Sequence, residues 1–247
     1  MSFYRITWNE KYDFATLHNW GCTFHCPFCS YKLRSGAAGR PGFAEPKPAQ
    51  FLTIAAQRET LRTLRPAKVY FMGGEPTIAP EIDAMLRIAK QELGATTRLG
   101  HTNGSRLPIP WLDGANVGFK AWSATLHRRL TGRPKTLIYD NFSRAFDAGL
   151  QMSANLVFIP ELVGLGELEG LVRYLAKLDP SIPFHIMGYI PVPGQPWRRP
   201  SEAEMAAARQ LAGSYLSQVA SSHLTGAEAL DLTTRDDRFD VRIVAGV

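Results

Sequence analysis

Residues 21–30 read GCTFHCPFCS and hold all three cysteines of a 247-residue chain. Cys22, Cys26 and Cys29 stand at the spacing C-x3-C-x2-C, directly after the run FATLH (14–18), whose apolar character predicts a β-strand. In folds that alternate parallel strands with helices, chemistry gathers at the C-terminal ends of the strands. A strand that ends in a loop with three thiols therefore sets the frame in which the rest of the chain is read.

Working outward, the pattern alternates short apolar runs with longer amphipathic ones. KLRSGAAGRPGFAEPKP (32–48) is too rich in Gly and Pro for a helix or an interior strand. Strands are predicted at 68–72, 97–101, 116–122, 152–159 and 184–189. Helices are predicted at 51–64, 81–93, 136–148, 168–178 and 201–220, the last opened by the capping box Ser201-x-x-Glu204. FDVRIV (239–244) predicts a further strand. Six βα units in series predict an α/β fold, a partial (β/α)6 barrel of the TIM type with parallel strands. No linker divides the chain, so a single domain over 1–247 is expected, with a core at about 14–220 and a C-terminal extension at 221–247.

The bulk numbers set limits on function. The N-terminus lacks the apolar core of a signal peptide, and no run reaches the roughly 18 apolar residues of a membrane span. A cytoplasmic protein is the expectation, and there a clustered, odd set of thiols argues for metal or redox chemistry rather than disulfides. The net charge of +6 suits an acidic protein, an anionic substrate or nucleic acid, and equally suits plain solubility.

Three chemistries compete for the cysteine loop. A structural zinc wants four ligands; His25 abuts Cys26, so only a distant His101 or His185 could complete the set. A CPFC dithiol (26–29) would leave Cys22 idle. A [4Fe–4S] cluster fits best: three thiolates hold three irons, and the fourth iron stays open to a substrate. A non-catalytic iron–sulfur or zinc module remains as a rival, although a small electron carrier has no need of six βα units.

The pattern C-x3-C-x-aromatic-C, with Phe28 at the aromatic position, resembles the signature of the radical S-adenosylmethionine (radical SAM) superfamily. GGEPT (73–77), after the second predicted strand, is similar to that family's methionine-binding motif. Within the superfamily the chain looks most like the activating enzymes of glycyl-radical proteins, such as pyruvate formate-lyase activating enzyme. The resemblance covers about residues 14–220. It departs before the cysteines and in the 31–50 insert, and Gly118 stands where an aspartate is common in those activases.

The resemblance implies an enzyme with a [4Fe–4S] cluster and SAM as cofactors, which cleaves SAM reductively to a 5′-deoxyadenosyl radical for hydrogen abstraction. It implies Cys22, Cys26 and Cys29 as cluster ligands and Phe28 beside the adenine. Gly73 and Gly74 would let backbone approach the methionine moiety, and Glu75 would meet its ammonium. Thr102 and Asn103 of HTNG (101–104) would lie near the ribose, Lys120 at the SAM carboxylate, and Asn155 and His185 around the site. No catalytic side chain beyond these is assigned. A glycyl-radical protein is the implied substrate; the alternative is biosynthesis on a small molecule or an RNA base. With no further cysteine for a second cluster, electrons are expected from an external donor, a flavodoxin or ferredoxin.

Overall fold

The computed structural model describes residues 1–233 and 235–246. A nine-stranded sheet runs in the order β8-β7-β6-β5-β4-β3-β2-β1-β9 and is not closed. Its strands are β1 (Phe3–Asn9), β2 (Phe14–Asn19), β3 (Lys68–Met72), β4 (Thr96–Thr102), β5 (Gly114–Phe119), β6 (Gln151–Phe158), β7 (Phe184–Gly188), β8 (Val219–Ser222) and β9 (Arg242–Gly246). From β2 to β8 all neighbours are parallel; β1 lies antiparallel to β2, and β9 antiparallel to β1. The helices are α1 (Lys32–Ser35), α2 (Ile54–Leu64), α3 (Ile82–Arg87), α4 (Ala124–Thr131), α5 (Lys135–Asp147), α6 (Leu165–Leu178), α7 (Glu202–Gly213) and α8 (Gly226–Leu230).

The sheet has two unlike faces because side chains alternate along each strand. Ala15, Leu17, Val69, Phe71, Leu99, Ala115, Val117, Ala154, Leu156 and Ile186 are no more than 1% exposed. They share one core with Ile138 and Phe142 of α5 and Leu168, Leu171, Val172 and Leu175 of α6. The alternate positions, among them His18, Arg98, Asn116, Asn155 and His185, turn to the inner face of the partial barrel, and most are polar.

The six predicted strands form as β2–β7, and a helix follows each except β4, which a loop joins to β5. The predicted first strand has a partner before it: FYRITWN, aromatic and β-branched, pairs as β1. The helix predicted to residue 220 ends at Gly213, and residues 219–222 become β8 instead. The free edge of β7 offers unpaired backbone groups to them, a stronger claim than helix propensity. The helix predicted over 81–93 is α-helical only to Arg87 and then π-helical over Ile88–Glu92. The C-terminal strand is shifted, to Arg242–Gly246, and one helical turn, α1, sits in the Gly/Pro-rich segment.

Glu81, only 3% exposed, fastens β1 to the body. Its Oε1 accepts from the backbone N–H groups of Ser2 at 2.8 Å and Phe3 at 3.2 Å. Hydrogen bonds to a charged acceptor contribute about 1.5–3 kcal/mol, so Glu81→Ala is expected to lower unfolding stability by about 2 kcal/mol in urea titration. An unchanged midpoint would show that β1 is held by its ladder alone.

Candidate functional site

Two strand ends meet at one carboxylate. Glu75, at the end of the β3 loop, is fully buried. Its Oε1 accepts from the Thr77 N–H (3.1 Å), the Thr77 hydroxyl (2.7 Å) and the Thr102 hydroxyl (2.8 Å). Its Oε2 accepts from the Asn103 N–H at 2.5 Å. Burial pushes the Glu75 pKa up, while these donors pull it back. The carboxylate thus binds the loop after β3 to the loop after β4.

Asn19 makes the matching join to the cysteine loop. Its Nδ2 donates to the carbonyls of Gly21 (3.0 Å), Gly73 (3.3 Å) and Glu75 (2.9 Å). The Glu75 N–H in turn donates to the Gly21 carbonyl at 2.8 Å. Gly74, at φ +51°, would bring a Cβ within 2.0 Å of the Gly21 oxygen and 2.5 Å of the Gly42 oxygen. Here the missing side chain first lets two protein loops touch.

The cysteines sit on that platform. Cys29 N–H donates to the Cys26 carbonyl (3.2 Å) and Lys32 N–H to the Cys29 carbonyl (3.0 Å), so the CPFC turn runs into α1. Phe24 N–H points at Cys22 Sγ (3.4 Å), and Asn103 bridges to Thr23 Oγ1 (3.1 Å). Gly42 of the insert backs Cys22, since a Cβ there would lie 2.2 Å from the Cys22 Cβ. Burial raises the Cys22 pKa and pushes Cys26 up to about 12, against the pull of the Lys120 cation. Each thiol also lies within electrostatic reach of the others.

That donor set fits a cluster. Thiolates this close, one buried and two half-buried, need a cation to hold them ionised, and an iron–sulfur cube would supply one iron to each. Among the described residues, no three His, Cys, Asp or Glu side chains gather as a single metal ion would require. A cube has no such requirement, because its thiolates bind different irons. His25 is exposed and directed toward Gly132, away from the thiols.

The other expected residues distribute around this platform. Phe28 is buried, 6% exposed. Thr102 and Asn103 brace Glu75, as described. Lys120 lies one residue beyond β5, and its ammonium reaches back over Gly118, where a Cβ would stand 2.7 Å from Nζ. A side chain at 118 would require the ammonium, the far end of a flexible chain, to move aside. Asn155 is buried and donates to Asn116 Oδ1 at 2.9 Å, with His101 Nδ1 at 3.4 Å. His185 pairs with Asn155 in the ladder, and burial lowers its pKa. His101 is open to solvent inside the barrel yet walled by protein. Burial, then Lys120 and His185, brings its pKa down to about 4, so its ring is neutral near pH 7.

Sequence reading missed Asn19, Asn116 and Tyr31, whose hydroxyl accepts from the Gly74 N–H at 3.0 Å. None stands in a motif, and each bonds a partner distant in sequence. No helix among the described residues is long and apolar enough to cross a membrane.

Comparison with known proteins places these features in a family. The profile of the Radical SAM superfamily matches residues 17–174, from β2 into α6. A Methanocaldococcus jannaschii protein, named provisionally as a glycyl-radical enzyme activating enzyme, is 26% identical over 219 residues, 85% of this chain and 81% of that one. A radical SAM methyltransferase from Sphaerobacter thermophilus shares the fold, with a TM-score of 0.59 and 20% identity over 89% of this chain and 68% of that one. A domain of pyruvate-formate lyase-activating enzyme from Bacteroides vulgatus aligns with a TM-score of 0.51 and 22% identity, over 63% of this chain and 99% of that domain.

The loop contact can be tested apart from activity. Gly74→Ala is expected to reduce iron and sulfide incorporation severalfold, because its Cβ cannot share space with the Gly21 carbonyl. Iron content equal to wild type would show that the loops separate without consequence.

Proposed function

The chain belongs to the radical SAM superfamily, and on that premise we propose that it abstracts hydrogen from a glycine of a partner protein, activating it. The chain is an enzyme that uses a [4Fe–4S] cluster and SAM. When bound, the reduced cluster would supply one electron to the SAM sulfonium, whose cleavage would give methionine and a 5′-deoxyadenosyl radical able to take a hydrogen atom. The observation that carries the finer reading is the similarity, along most of both chains, to a protein named as an activating enzyme.

The roles of individual residues belong to the same proposal. Cys22, Cys26 and Cys29 hold the cluster, and the Asn19–Glu75 join keeps their loop beside Gly73 and Gly74. Those glycines offer backbone to the methionine moiety. Glu75 Oε2 accepts a single hydrogen bond, which leaves it a lone pair for the SAM ammonium. Phe28 flanks the adenine and Asn103 the ribose, while Thr102 holds Glu75. Lys120 neutralises the SAM carboxylate, with Asn155 and His185 lining the space beyond. All three cysteines belong to one loop, so an external flavodoxin or ferredoxin supplies the electron.

Two measurements check this. Cys26→Ala, after anaerobic reconstitution, is expected to lose 5′-deoxyadenosine formation from SAM with dithionite; formation at the wild-type rate would refute the cluster assignment. With a glycyl-radical protein bearing α-deuterated glycine, deuterium is expected in 5′-deoxyadenosine, with a glycyl doublet in the electron paramagnetic resonance spectrum of the partner. If SAM is cleaved but neither signal appears, hydrogen comes from another substrate.

A further inference from the structure

The inner face carries cations and no balancing acid. Among the described residues, the inward positions of β1–β7 hold Arg5, Lys68 and Arg98, with Lys120 just beyond β5 and His18, His101 and His185 between them. No Asp or Glu shares that face. Arg98 reaches Gln151, a neutral partner, at 2.8 Å. None of these four lysines and arginines belongs to an ion pair among the described residues. A cation desolvated without a counter-charge is unfavourable, and a fold keeps one where a ligand supplies the missing anion.

Arg5 is the one of these with a buried donor left without a partner, its Nε. The ladder between β1 and β2 pairs Phe3 with Asn19 and then Arg5 with His18, so Tyr4 is the extra residue of a bulge. A bulge re-aims side chains, and here Tyr4 and Arg5 both come to flank His18. The guanidinium carbon lies 5.4 Å from the Tyr4 ring centre, and the Tyr4 and His18 rings are 6.4 Å apart. His18 Nε2 is bonded to Thr7 Oγ1 at 2.9 Å. Tyr31, from the insert, lies within electrostatic reach of Tyr4 while its hydroxyl holds Gly74. His18 is also the ladder partner of Met72, the residue before Gly73. The corner therefore adjoins the glycine loop on the side away from Lys120.

We propose that the corner walled by Tyr4, Arg5, His18 and Tyr31 binds an oxyanion, a carboxylate or a phosphate, carried by the molecule that loses hydrogen. The proposal rests on the reading of this interior as the site of SAM cleavage. Arg5 and Tyr4 stand on β1, before the segment that the family profile matches, while His18 and Tyr31 lie within it. The planar guanidinium offers paired N–H donors matched to two oxygens. In a protein substrate the anion is an acidic side chain near the target glycine; in a small molecule it is the substrate's own carboxylate or phosphate.

Equilibrium dialysis of the reconstituted enzyme against radiolabelled inorganic phosphate and, separately, acetate tests the site. Wild type is expected to bind at least one of them saturably, and the tighter of the two identifies the class of group. Arg5→Gln is expected to weaken that binding about tenfold or more, the loss of a charged hydrogen-bond donor. Affinity for SAM, measured alongside, is expected to stay at the wild-type level. Should Arg5→Gln fail to take up iron, Tyr4→Phe substitutes for it, with a smaller loss of anion binding expected. The proposal is overturned if wild type binds neither anion, if the variants bind as wild type does, or if SAM affinity falls in parallel, which would make SAM's own carboxylate the anion. Iron content and 5′-deoxyadenosine formation in wild type report separately on the underlying reading.

Discussion

The Glu75 carboxylate and its donors hold the working end of this molecule together. A bare carboxylate has no place in a protein interior, because the loss of hydration is far larger than any single contact returns. Here the Thr77 N–H and hydroxyl, the Thr102 hydroxyl and the Asn103 N–H surround it. Removing it would strand those donors as well. The strand ends of β3 and β4 are thereby locked at one distance, and Asn19 extends the lock to β2 and the cysteine loop.

That lock changes the meaning of the GGEP motif. In the resemblance the glycines and the glutamate are contacts for a ligand. In the structure they are also the joint between loops: Gly74 clears the Gly21 and Gly42 carbonyls, and Glu75 gathers donors from two strands. The two roles are compatible, since backbone packed this closely is also held rigidly for a ligand. The insert takes part in the same packing. Gly42 backs Cys22, Tyr31 holds Gly74, and Phe43 stacks edge-on against Trp20 with ring centres 4.6 Å apart. It is a wall of the site rather than an appendage.

The two faces of the sheet divide the labour. The outer face and its helices supply the apolar burial that keeps the strands in register. The inner face is free to be polar because it borders an open interior, where His101 meets solvent and Asn155 links Asn116 to His101. Its cations outnumber its acids, so the interior carries a positive potential before any ligand enters.

The sequence by itself determined the βα rhythm, the cysteine loop and the family motifs, because each depends on local spacing. Val69 and Phe71 alternate within five residues, and Cys22, Cys26 and Cys29 lie within eight. Tertiary structure alone decided what those motifs touch. β8 replaced the end of a predicted helix because β7 had an open edge, and β1 joined the sheet beside β2 through pairing and the Glu81 clasp. Asn19 and Tyr31 acquired their places from partners dozens of residues away, and Arg5 acquired its place from a bulge in the β1–β2 ladder. Hydrogen bonds and charges act over a few ångströms of space, and only the folded chain establishes which residues share that space.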